Sequence, residues 1–343
     1  MHMSDALLSA ATGSVMSAVS AGFIGYSVVK IKKTEIFEKK VPIMAVSGAF
    51  IFAAQMINFA IPGTGSSGHI SGGILLAALL GSNPALLTIS AILVIQSLFF
   101  ADGGLLALGC NIFNLGVIPC LLVYPFLFKP FVKRNLNNKT ISIASVIAVV
   151  VGLQLGAFAV VLQTQAAGIS QLPFATFTLL MQPIHLAIGI FEGIITAAVL
   201  CFVYKMRPEI LENSNTGQPV EKTISFRNVI IAFAVLAVFT GGLLSIFASQ
   251  KPDGLEWAIE ETAGVPELEI NDPFLERAAD IQETLSFMPD YNFKTDNEDN
   301  GNVSMAGTSV AGITGSILTF ILAGGTALII TGIKKKRRHG HKE

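Results

Sequence analysis

Charged residues are scarce in this sequence. Lys, Arg, Asp and Glu together make up 13% of the 343 residues, while hydrophobic residues make up 52%. Soluble domains carry about 25% charged residues, so this chain cannot cover a water-facing surface of its own. The composition therefore indicates an integral membrane protein with lipid as its main solvent. The net charge of −1 argues against a nucleic-acid-binding protein, which would carry a basic patch.

Cysteine is nearly absent as well. Cys110, Cys120 and Cys201 lie inside apolar segments, and no two of them have the spacing of a metal site or a redox pair. We expect them to be small membrane-buried residues, which disfavours disulfides as part of the fold.

The basic residues occur in clusters. Nineteen of the 22 Lys and Arg residues lie in four groups, within 30–40, 129–139, 205–227 and 334–342. Because such clusters mark the cytoplasmic side of a membrane, they predict an all-α, polytopic helical bundle of nine spans, with the N-terminus outside and the C-terminus inside. The spans are expected at 8–29, 41–60, 68–82, 84–100, 104–128, 141–163, 185–204, 228–248 and 308–333.

Two features near the N-terminus bear on this topology. A crossing needs about 20 residues, and segment 68–82 is shorter. The chain could therefore cross the membrane twice, instead of four times, between the first two basic clusters. No basic region precedes the first span, so we expect that span to be retained and not cleaved as a signal peptide.

The acidic residues concentrate in one region. Residues 249–307 contain 14 of the 23 Asp and Glu residues and the only tryptophan, Trp257. This predicts an acidic extracytoplasmic loop, whose charge would raise the local concentration of a cation. The chain is thus expected to divide into a membrane core (1–206), a cytoplasmic linker (207–223) and a two-span unit (224–343) that carries the loop.

One glycine-rich segment, Gly63 to Gly68, matches the pattern GxGxxG. A dinucleotide site needs a strand before it and a helix after it, but Pro62 and a predicted span precede this segment. A phosphate-binding loop needs Lys and Ser or Thr after the last glycine, where this chain has His69 and Ile70. We interpret the segment as a compact extracytoplasmic turn. We expect ATP hydrolysis to occur in a partner, so that the chain itself is not an enzyme.

Histidine is also rare. Of five histidines, His339 and His341 lie in the basic tail, where ordinary solvated side chains are expected and weak metal affinity is the alternative. His2, His69 and His185 are all predicted at the outer face, without Lys or Arg in the surrounding loops. Together these three suggest a cation site.

His2 is the most specific of the three. A histidine directly after the initiator methionine can offer its imidazole, its backbone nitrogen and the terminal amine to one metal ion. The imidazole of His69 would complete four nitrogens in a plane, an arrangement typical of Ni(II) or Cu(II). The alternative is that His2 follows the start codon by chance, and the residues alone leave both open.

Several motifs resemble the CbiM/NikM family, the substrate-binding subunits of energy-coupling-factor transporters for cobalt and nickel. They are MHMSDALL at the start, PGTGSSGH at 62–69, QSLFFADGGLLALGCNIFNLG at 96–116 and HLAIGIFEGIIT at 185–196. PDGLEWAIE at 252–260 resembles the small CbiN/NikN companion subunit, so the chain is similar to a fusion of the two. The departures are Met3 for Ile or a related apolar residue, Ala6-Leu7 for Gly-Phe, and Phe191 for Gly.

The resemblance implies a metal site. It places the ligands at the terminal amine of Met1, the backbone nitrogen and imidazole of His2, and the imidazole of His69. The supporting residues that it implies are His185, Asp102, Asn111, Asn114 and Glu192.

Each supporting residue has an expected role. His185 would line or support the site, and direct ligation of the metal is the alternative. Glu192 would neutralise the cation, or would hold helices together with Asn111 or Asn114, because an ionisable residue inside a membrane faces the interior. Asp102 and the two asparagines would orient the ligands through hydrogen bonds.

The resemblance also implies a function. The chain would capture a divalent transition metal outside a prokaryotic cell membrane for delivery inward, with a CbiQ/NikQ-like transmembrane coupling subunit and CbiO/NikO-like ATPase subunits. The planar four-nitrogen arrangement favours Ni(II) over Co(II) as the transported ion. The alternatives are a cobalt importer of the same family and a membrane metal sensor or assembly factor that does not transport.

Overall fold

The computed structural model is predominantly helical. It describes residues 1–32, 37–216, 227–265, 267–270, 272–294 and 305–339, and at 37–39, 213–216, 305 and 334–339 it describes the backbone only. Three parts of the predicted features lie outside the described residues. These are linker residues 217–223, residues 295–304 of the acidic region, and the tail 340–343 with His341.

Within the described ranges, helices follow one another with few strands. The helices are α1 (Ala10–Lys32), α2 (Phe37–Gln55), α3 (Gly73–Leu80), α4 (Ser82–Phe100), α5 (Leu108–Ile112), α6 (Lys129–Arg134), α7 (Asn138–Ala167), α8 (Phe174–Met206), α9 (Pro208–Thr216), α10 (Arg227–Gly242), α11 (Gly254–Ala263), α12 (Pro273–Leu285) and α13 (Met305–His339). A π-helical stretch, Phe113–Phe128, joins α5 to α6. Strand β1 (Phe59–Ala60) pairs antiparallel with β2 (Ser67–Gly68).

Six helices in the described part of the chain are long and apolar enough to cross a membrane. They are α1, α4, the continuous helix Leu108–Arg134, α7, α8 and Ala306–Ile333 of α13. The shorter apolar helices Lys40–Gln55 and Arg227–Gly242 coincide with two further predicted spans. The chain is thus a multi-pass helical membrane protein.

The predicted span at 68–82 forms a much shorter element. Helix α3 has eight residues and is therefore about 12 Å long, while the hydrocarbon core of a bilayer is about 30 Å thick. All eight residues are buried inside the protein. The count of nine spans and the sides on which the two termini lie stay predictions.

Helix α1 shows how the sequence suits a lipid environment. Val15 and Phe23 are exposed, while Gly13 and Ser20 are buried. Ser20 Oγ donates a hydrogen bond of 2.6 Å to the carbonyl oxygen of Gly109. This pattern is the reverse of a soluble helix, whose apolar stripe faces the core. Small and polar residues at helix contacts are typical of membrane bundles.

Glycines also set the contact between α7 and α8. A Cβ atom at Gly189 would lie 3.1 Å from the Cα atom of Val150, and one at Gly193 would lie 2.7 Å from the Cα atom of Val146. The spacing of four residues puts both glycines on one face of α8, as in GxxxG contacts of membrane helices. This close approach fixes the orientation of α8, the helix that carries Glu192.

The acidic region is folded onto the bundle. Helix α11 packs against α8, and α12 packs against α4. Gln282 of α12 donates from Nε2 to the carbonyl oxygens of Ser97 (2.9 Å) and Gly103 (2.7 Å). Helices α10 and α13 pack against each other and against α2. The region therefore covers the end of the bundle at which α4 terminates.

Candidate metal site

Residues 1–5 form an N-terminal arm that packs against the core. The backbone N–H of Met3 donates to Asn111 Oδ1 (2.8 Å), and Asn111 Nδ2 donates to the carbonyl oxygen of Met3 (3.1 Å). The N–H of Gly104 donates to the same carbonyl at 2.9 Å. Because Asn111 hydrogen-bonds to both backbone polar groups of Met3, these groups do not need a neighbouring strand as a partner. These bonds hold Met1 and His2 in place.

Asp5 anchors the other end of the arm. Its carboxylate is buried, and Oδ1 accepts from the N–H of Ala107 at 2.8 Å, just before α5. A Cβ atom at Gly104 would overlap this carboxylate, so the close approach requires glycine. Burial raises the pKa of Asp5, and the backbone donors oppose that effect. Asp5 lies within the N-terminal motif, but its residue type and position alone predict no role for it.

The terminal amine meets a histidine and a carboxylate. The amine of Met1 donates to Asp253 Oδ2 in an ion pair and lies 3.3 Å from His69 Nε2. Asp253 Oδ2 lies 3.8 Å from His69 Nε2. Burial alone would raise the pKa of Asp253, but the amine and His69 outweigh it and hold the pKa well below its usual value. The carboxylate is therefore ionised beside the amine.

The imidazole of His69 is oriented by its own backbone. Nδ1 lies 3.1 Å from the carbonyl oxygen of Ile70. Because a carbonyl can only accept, Nδ1 carries the proton and Nε2 keeps its lone pair toward the amine. Burial, together with the charges of the amine and His2, lowers the pKa of His69 to about 3. The ring is thus neutral at physiological pH, as a nitrogen ligand must be.

Glu192 holds the loop that follows His69. Its carboxylate accepts from the N–H and Oγ of Ser71, both at 2.8 Å, and from the N–H of Gly72 at 3.0 Å. Three donors stabilise a charge that would be costly to bury alone. The alternative contact with Asn111 or Asn114 is not seen among the described residues, where Asn111 pairs with the Met3 backbone and Asn114 pairs with Gln163.

His2 is held by the carboxylate of Asp102. Its Nδ1 lies 2.9 Å from Asp102 Oδ1, and its ring stacks on that of His69 with centroids 5.1 Å apart. Asp102 also accepts from the hydroxyl of Tyr291. Burial alone would raise the pKa of Asp102, but His2 outweighs it and lowers the pKa to about 2. His2 Nε2 is buried and has no hydrogen-bond partner among the described residues.

His185 borders the same site. Its Nδ1 donates to the carbonyl oxygen of Met181 at 2.8 Å. Its Nε2 is buried and without a partner in the described part of the chain. With Met1, His69 and Asp253, the residue lines a small cavity of about 10 Å³. The structure thus brings the three predicted histidines to one end of the bundle.

The family departures pack around the site without supplying ligands. The side chain of Met3 is fully buried, with its sulfur 3.7 Å from Asn114 Nδ2. The amide of Asn114 pairs with that of Gln163 at 2.8 and 3.0 Å. Phe191 packs on Phe59 of β1, with ring centroids 4.0 Å apart. The expected orienting role of Asn114 therefore acts on the Met3 side chain, whereas Asn111 binds the Met3 backbone.

A metal site built from side chains alone is not present. Among the residues that the structure describes, no group of three or more His, Cys, Asp or Glu side chains could hold a metal ion. The ligand set implied by the sequence accords with this finding, because two of its four nitrogens come from the terminal amine and the backbone. Those two nitrogens belong to the buried arm.

An acidic cleft leads to the site. It has a volume of about 1230 Å³, and its lining includes His2 and the carboxylates of Asp102, Glu256, Glu267 and Asp290. Opposite charge raises the local concentration of a cation in such a cleft. The cleft is therefore suited to the approach of a dication toward His2.

Sequence reasoning missed Asp253 and Tyr291 as parts of this site. One signal was available, since Asp253 followed by Glu256 has the spacing of a helix capping box, and the structure contains that box. A capping box identifies the start of a helix. It does not reveal that the second carboxylate oxygen reaches residue 1, so the contact could not be found this way.

Two family profiles match the chain. The profile described as the cobalt uptake substrate-specific transmembrane region, CbiM, matches residues 2–210. The PDGLE domain matches residues 227–332. The first match contains His2 and His69, and the second contains Asp253 and Tyr291. The site thus joins residues of both matched regions.

The chain is also similar to individual proteins. A protein of Archaeoglobus fulgidus assigned as a fused nickel transport protein, NikMN, is 29% identical over 328 residues, covering 96% of this chain and 98% of the relative. A protein of Methanocorpusculum labreanum assigned as a cobalt transport protein, CbiM, is 30% identical over 232 residues, covering 66% of this chain and 99% of the relative. A crystal structure described as a truncated transition metal transporter matches with a TM-score of 0.53 and 30% identity, covering 60% of this chain and 99% of its own.

Proposed function

We propose that this chain, which belongs to the CbiM family of cobalt-uptake substrate-specific transmembrane proteins, is the metal-capture subunit of an ATP-driven nickel importer. The observation that carries the proposal is the meeting of the Met1 amine with His69 beside His2 at one buried end of the bundle. The relatives named for nickel and cobalt transport support transition metals as the class of substrate.

The arrangement suits a planar nitrogen site. The Met1 amine and His69 Nε2 are 3.3 Å apart, close to the roughly 2.9 Å between neighbouring ligands around an ion with metal–nitrogen bonds of about 2.0–2.1 Å. His2 would contribute its backbone nitrogen and imidazole. Planar four-nitrogen ligation favours Ni(II) over Co(II). Cobalt is the alternative substrate.

Loading would require His2 to turn. Nδ1 is the ring nitrogen nearest the backbone, so it is the nitrogen able to chelate a metal together with the backbone nitrogen. In this form of the protein it faces Asp102 at 2.9 Å. On binding, the ring would exchange Asp102 for the metal, the amine would lose its proton, and the backbone N–H of His2 would lose its proton so that this nitrogen can bind the metal. The hydroxyl of Tyr291 would keep Asp102 hydrogen-bonded.

Energy would come from partner subunits. The glycine segment forms the turn of the β1–β2 hairpin, with positive φ at Gly63 and Gly65, and not a phosphate-binding loop. A CbiQ/NikQ-like coupling subunit and CbiO/NikO-like ATPases in a prokaryotic cell membrane would therefore complete the importer. The outside N-terminus predicted from charge would put the site on the capture side.

Reconstitution tests this function. The chain, its two kinds of partner subunit and ATP would be placed in lipid vesicles with nickel on the capture side. We expect metal to accumulate across the membrane. Binding without ATP-dependent accumulation would favour the sensor or assembly factor. Metal content after loading with equal nickel and cobalt would decide the preferred ion.

From the contacts of the arm, we expect replacement of Asn111 and replacement of Asn114 to have different effects on nickel affinity. Asn111→Leu keeps a similar volume but leaves the N–H of Met3 unpaired and its carbonyl with only the bond from the Gly104 N–H, so the arm should detach more readily. We expect nickel affinity to fall about 10- to 100-fold, the range seen when groups that orient metal ligands are lost. Asn114→Leu, which loses only the Gln163 pair and the sulfur contact, is the matched control. Equal affinities of both variants in calorimetry would contradict the role of Asn111.

The acidic region predicts salt-dependent capture. Replacing the exposed residues Glu260, Glu261 and Glu276 with glutamine should slow nickel association at low ionic strength. The difference should fade near physiological salt, where the Debye length is about 8 Å. Stopped-flow binding over a range of salt concentrations measures this. A deficit that persists at high salt would point to a docking contact instead of steering.

A further inference from the structure

Asp253 lies against two of the proposed ligands. Its Oδ2 accepts from the Met1 amine and is 3.8 Å from His69 Nε2, while those two nitrogens are 3.3 Å apart. A metal ion bound to both nitrogens would therefore lie beside this oxygen. The Asp253 side chain is only 13% exposed, so water contributes little to stabilising its charge.

One oxygen of this carboxylate is committed to its own helix. Oδ1 accepts from the N–H groups of Leu255 (2.7 Å) and Glu256 (2.9 Å) at the start of α11. The side chain of Glu256 accepts in return from the N–H of Asp253 at 2.8 Å. This capping box fixes the rotamer of Asp253, so that Oδ2 faces Met1.

The segment before Asp253 is tied to the strand that leads to His69. Ser67 donates from its N–H to the carbonyl oxygen of Pro252 (2.8 Å) and from Oγ to that of Lys251 (2.7 Å). On the other side, a Cβ atom at Gly254 would lie 3.2 Å from His185 Cε1. Asp253 and His69 are thus held together by backbone contacts, independently of the arm.

Metal binding removes the present partner of Asp253. The amine must give up its proton to bind a metal, and the ion pair is then lost. A buried carboxylate without a partner is costly, and so is a buried dication without a counter-charge. Among the other carboxylates of the site, Glu192 is occupied by Ser71 and Gly72, and Asp102 would lose His2 but keep the Tyr291 hydroxyl. A bond between the Asp253 oxygen and the metal satisfies both charges.

We propose that Asp253 is itself a ligand of the captured metal, adding one oxygen to the four nitrogens. This inference rests on the proposed function and deepens it. The PDGLE domain thereby completes the coordination of the ion, in addition to covering the site. The consequence is measurable, because nickel in a plane of four nitrogens is diamagnetic, whereas a fifth ligand makes it paramagnetic.

The test uses the full chain in detergent, loaded with nickel chloride. X-ray absorption edge spectra and magnetic susceptibility of the wild type should show a five-coordinate, paramagnetic ion. In Asp253→Asn the oxygen should be lost, the ion should become diamagnetic, and the affinity should fall about tenfold or more. Asparagine caps helices as well as aspartate does, so α11 should keep its start.

A matched control is available in the same domain. Asp272 caps α12 by accepting from the N–H of Phe274 at 2.8 Å. Asp272→Asn therefore makes the same chemical change at the same kind of helix position, away from Met1. It should leave the spectrum and affinity of the wild type unchanged.

The other outcomes are also decisive. A diamagnetic wild-type complex with nitrogen ligands only would show that Asp253 does not bind the metal. An Asp253→Asn protein of lower affinity but unchanged spectrum would make it a positioning residue. If this variant binds no metal, cobalt EPR of the wild type in oxygen-17-enriched water decides: a broadened line identifies water as the oxygen ligand and overturns the inference, and an unbroadened one supports it. A wild type that binds neither nickel nor cobalt would instead overturn the proposed function.

Discussion

Replacing His69 with alanine is expected to abolish high-affinity nickel binding. The change removes one of four proposed nitrogens, and the expected loss exceeds the roughly 100-fold upper range for residues that only orient ligands. The fold should persist, because the loop after His69 is held by Glu192 through Ser71 and Gly72. Calorimetry with nickel on the purified chain measures the loss.

Two further variants make this result specific. His2→Ala should cause a similar loss, since it removes the imidazole of a second ligand residue. His339→Ala removes a histidine from the predicted solvated tail and should bind nickel like the parent, which corrects for nonspecific histidine affinity. If the alanine variants of His2 and His69 both bind with parental affinity, the site lies elsewhere.

Adding one glycine before Met1 is expected to be as damaging as losing His2. The terminal amine would become an amide, which is a far poorer metal ligand, although every side chain remains. Met1 is 5% exposed, and its nitrogen lies between Asp253 and His69. The added residue therefore has no room without displacing the arm. Nickel calorimetry on the extended protein tests this, with intact mass to show that the glycine is retained. The same measurement with His69→Ala in the extended protein is needed, because the new terminus Gly-Met-His can itself bind nickel and such binding would not depend on His69.

The control for the extension is the same glycine added after Glu343. This protein should bind nickel like the parent, because the change does not touch the arm. Parental affinity of the N-terminally extended protein that still depends on His69 would contradict the amine's role as a ligand.

The amino-acid sequence alone indicates a multi-pass membrane protein and singles out the proposed ligands of the site. Membrane helices follow from side-chain hydropathy within windows of about 20 residues, so most expected spans have a helix in the structure. The segment 68–82 shows where this reasoning weakens. The apolar side chains of its short helix are buried inside the protein. Composition alone does not distinguish such a helix from a short membrane span.

The same holds for the site. Ligand chemistry is a property of residue type and of position at the chain start, so His2, His69 and His185 could be singled out from the sequence together with Met1. Their partners depend on which turns of distant helices meet, and periodicity along one helix carries no such information. Asn111 was expected to orient ligands, but its pairing with the Met3 backbone required the structure.

Asp253 marks the limit most clearly. The local pattern identifies it as a helix cap, because a capping box is completed within four residues. Its contact with Met1 spans 252 positions and depends on the packing of α11 on α8 and on the bonds of Ser67 to the segment before Asp253. Local propensities are set by neighbours in sequence, whereas the second oxygen of this carboxylate is placed by contacts between distant parts of the chain, so only the tertiary structure decided it.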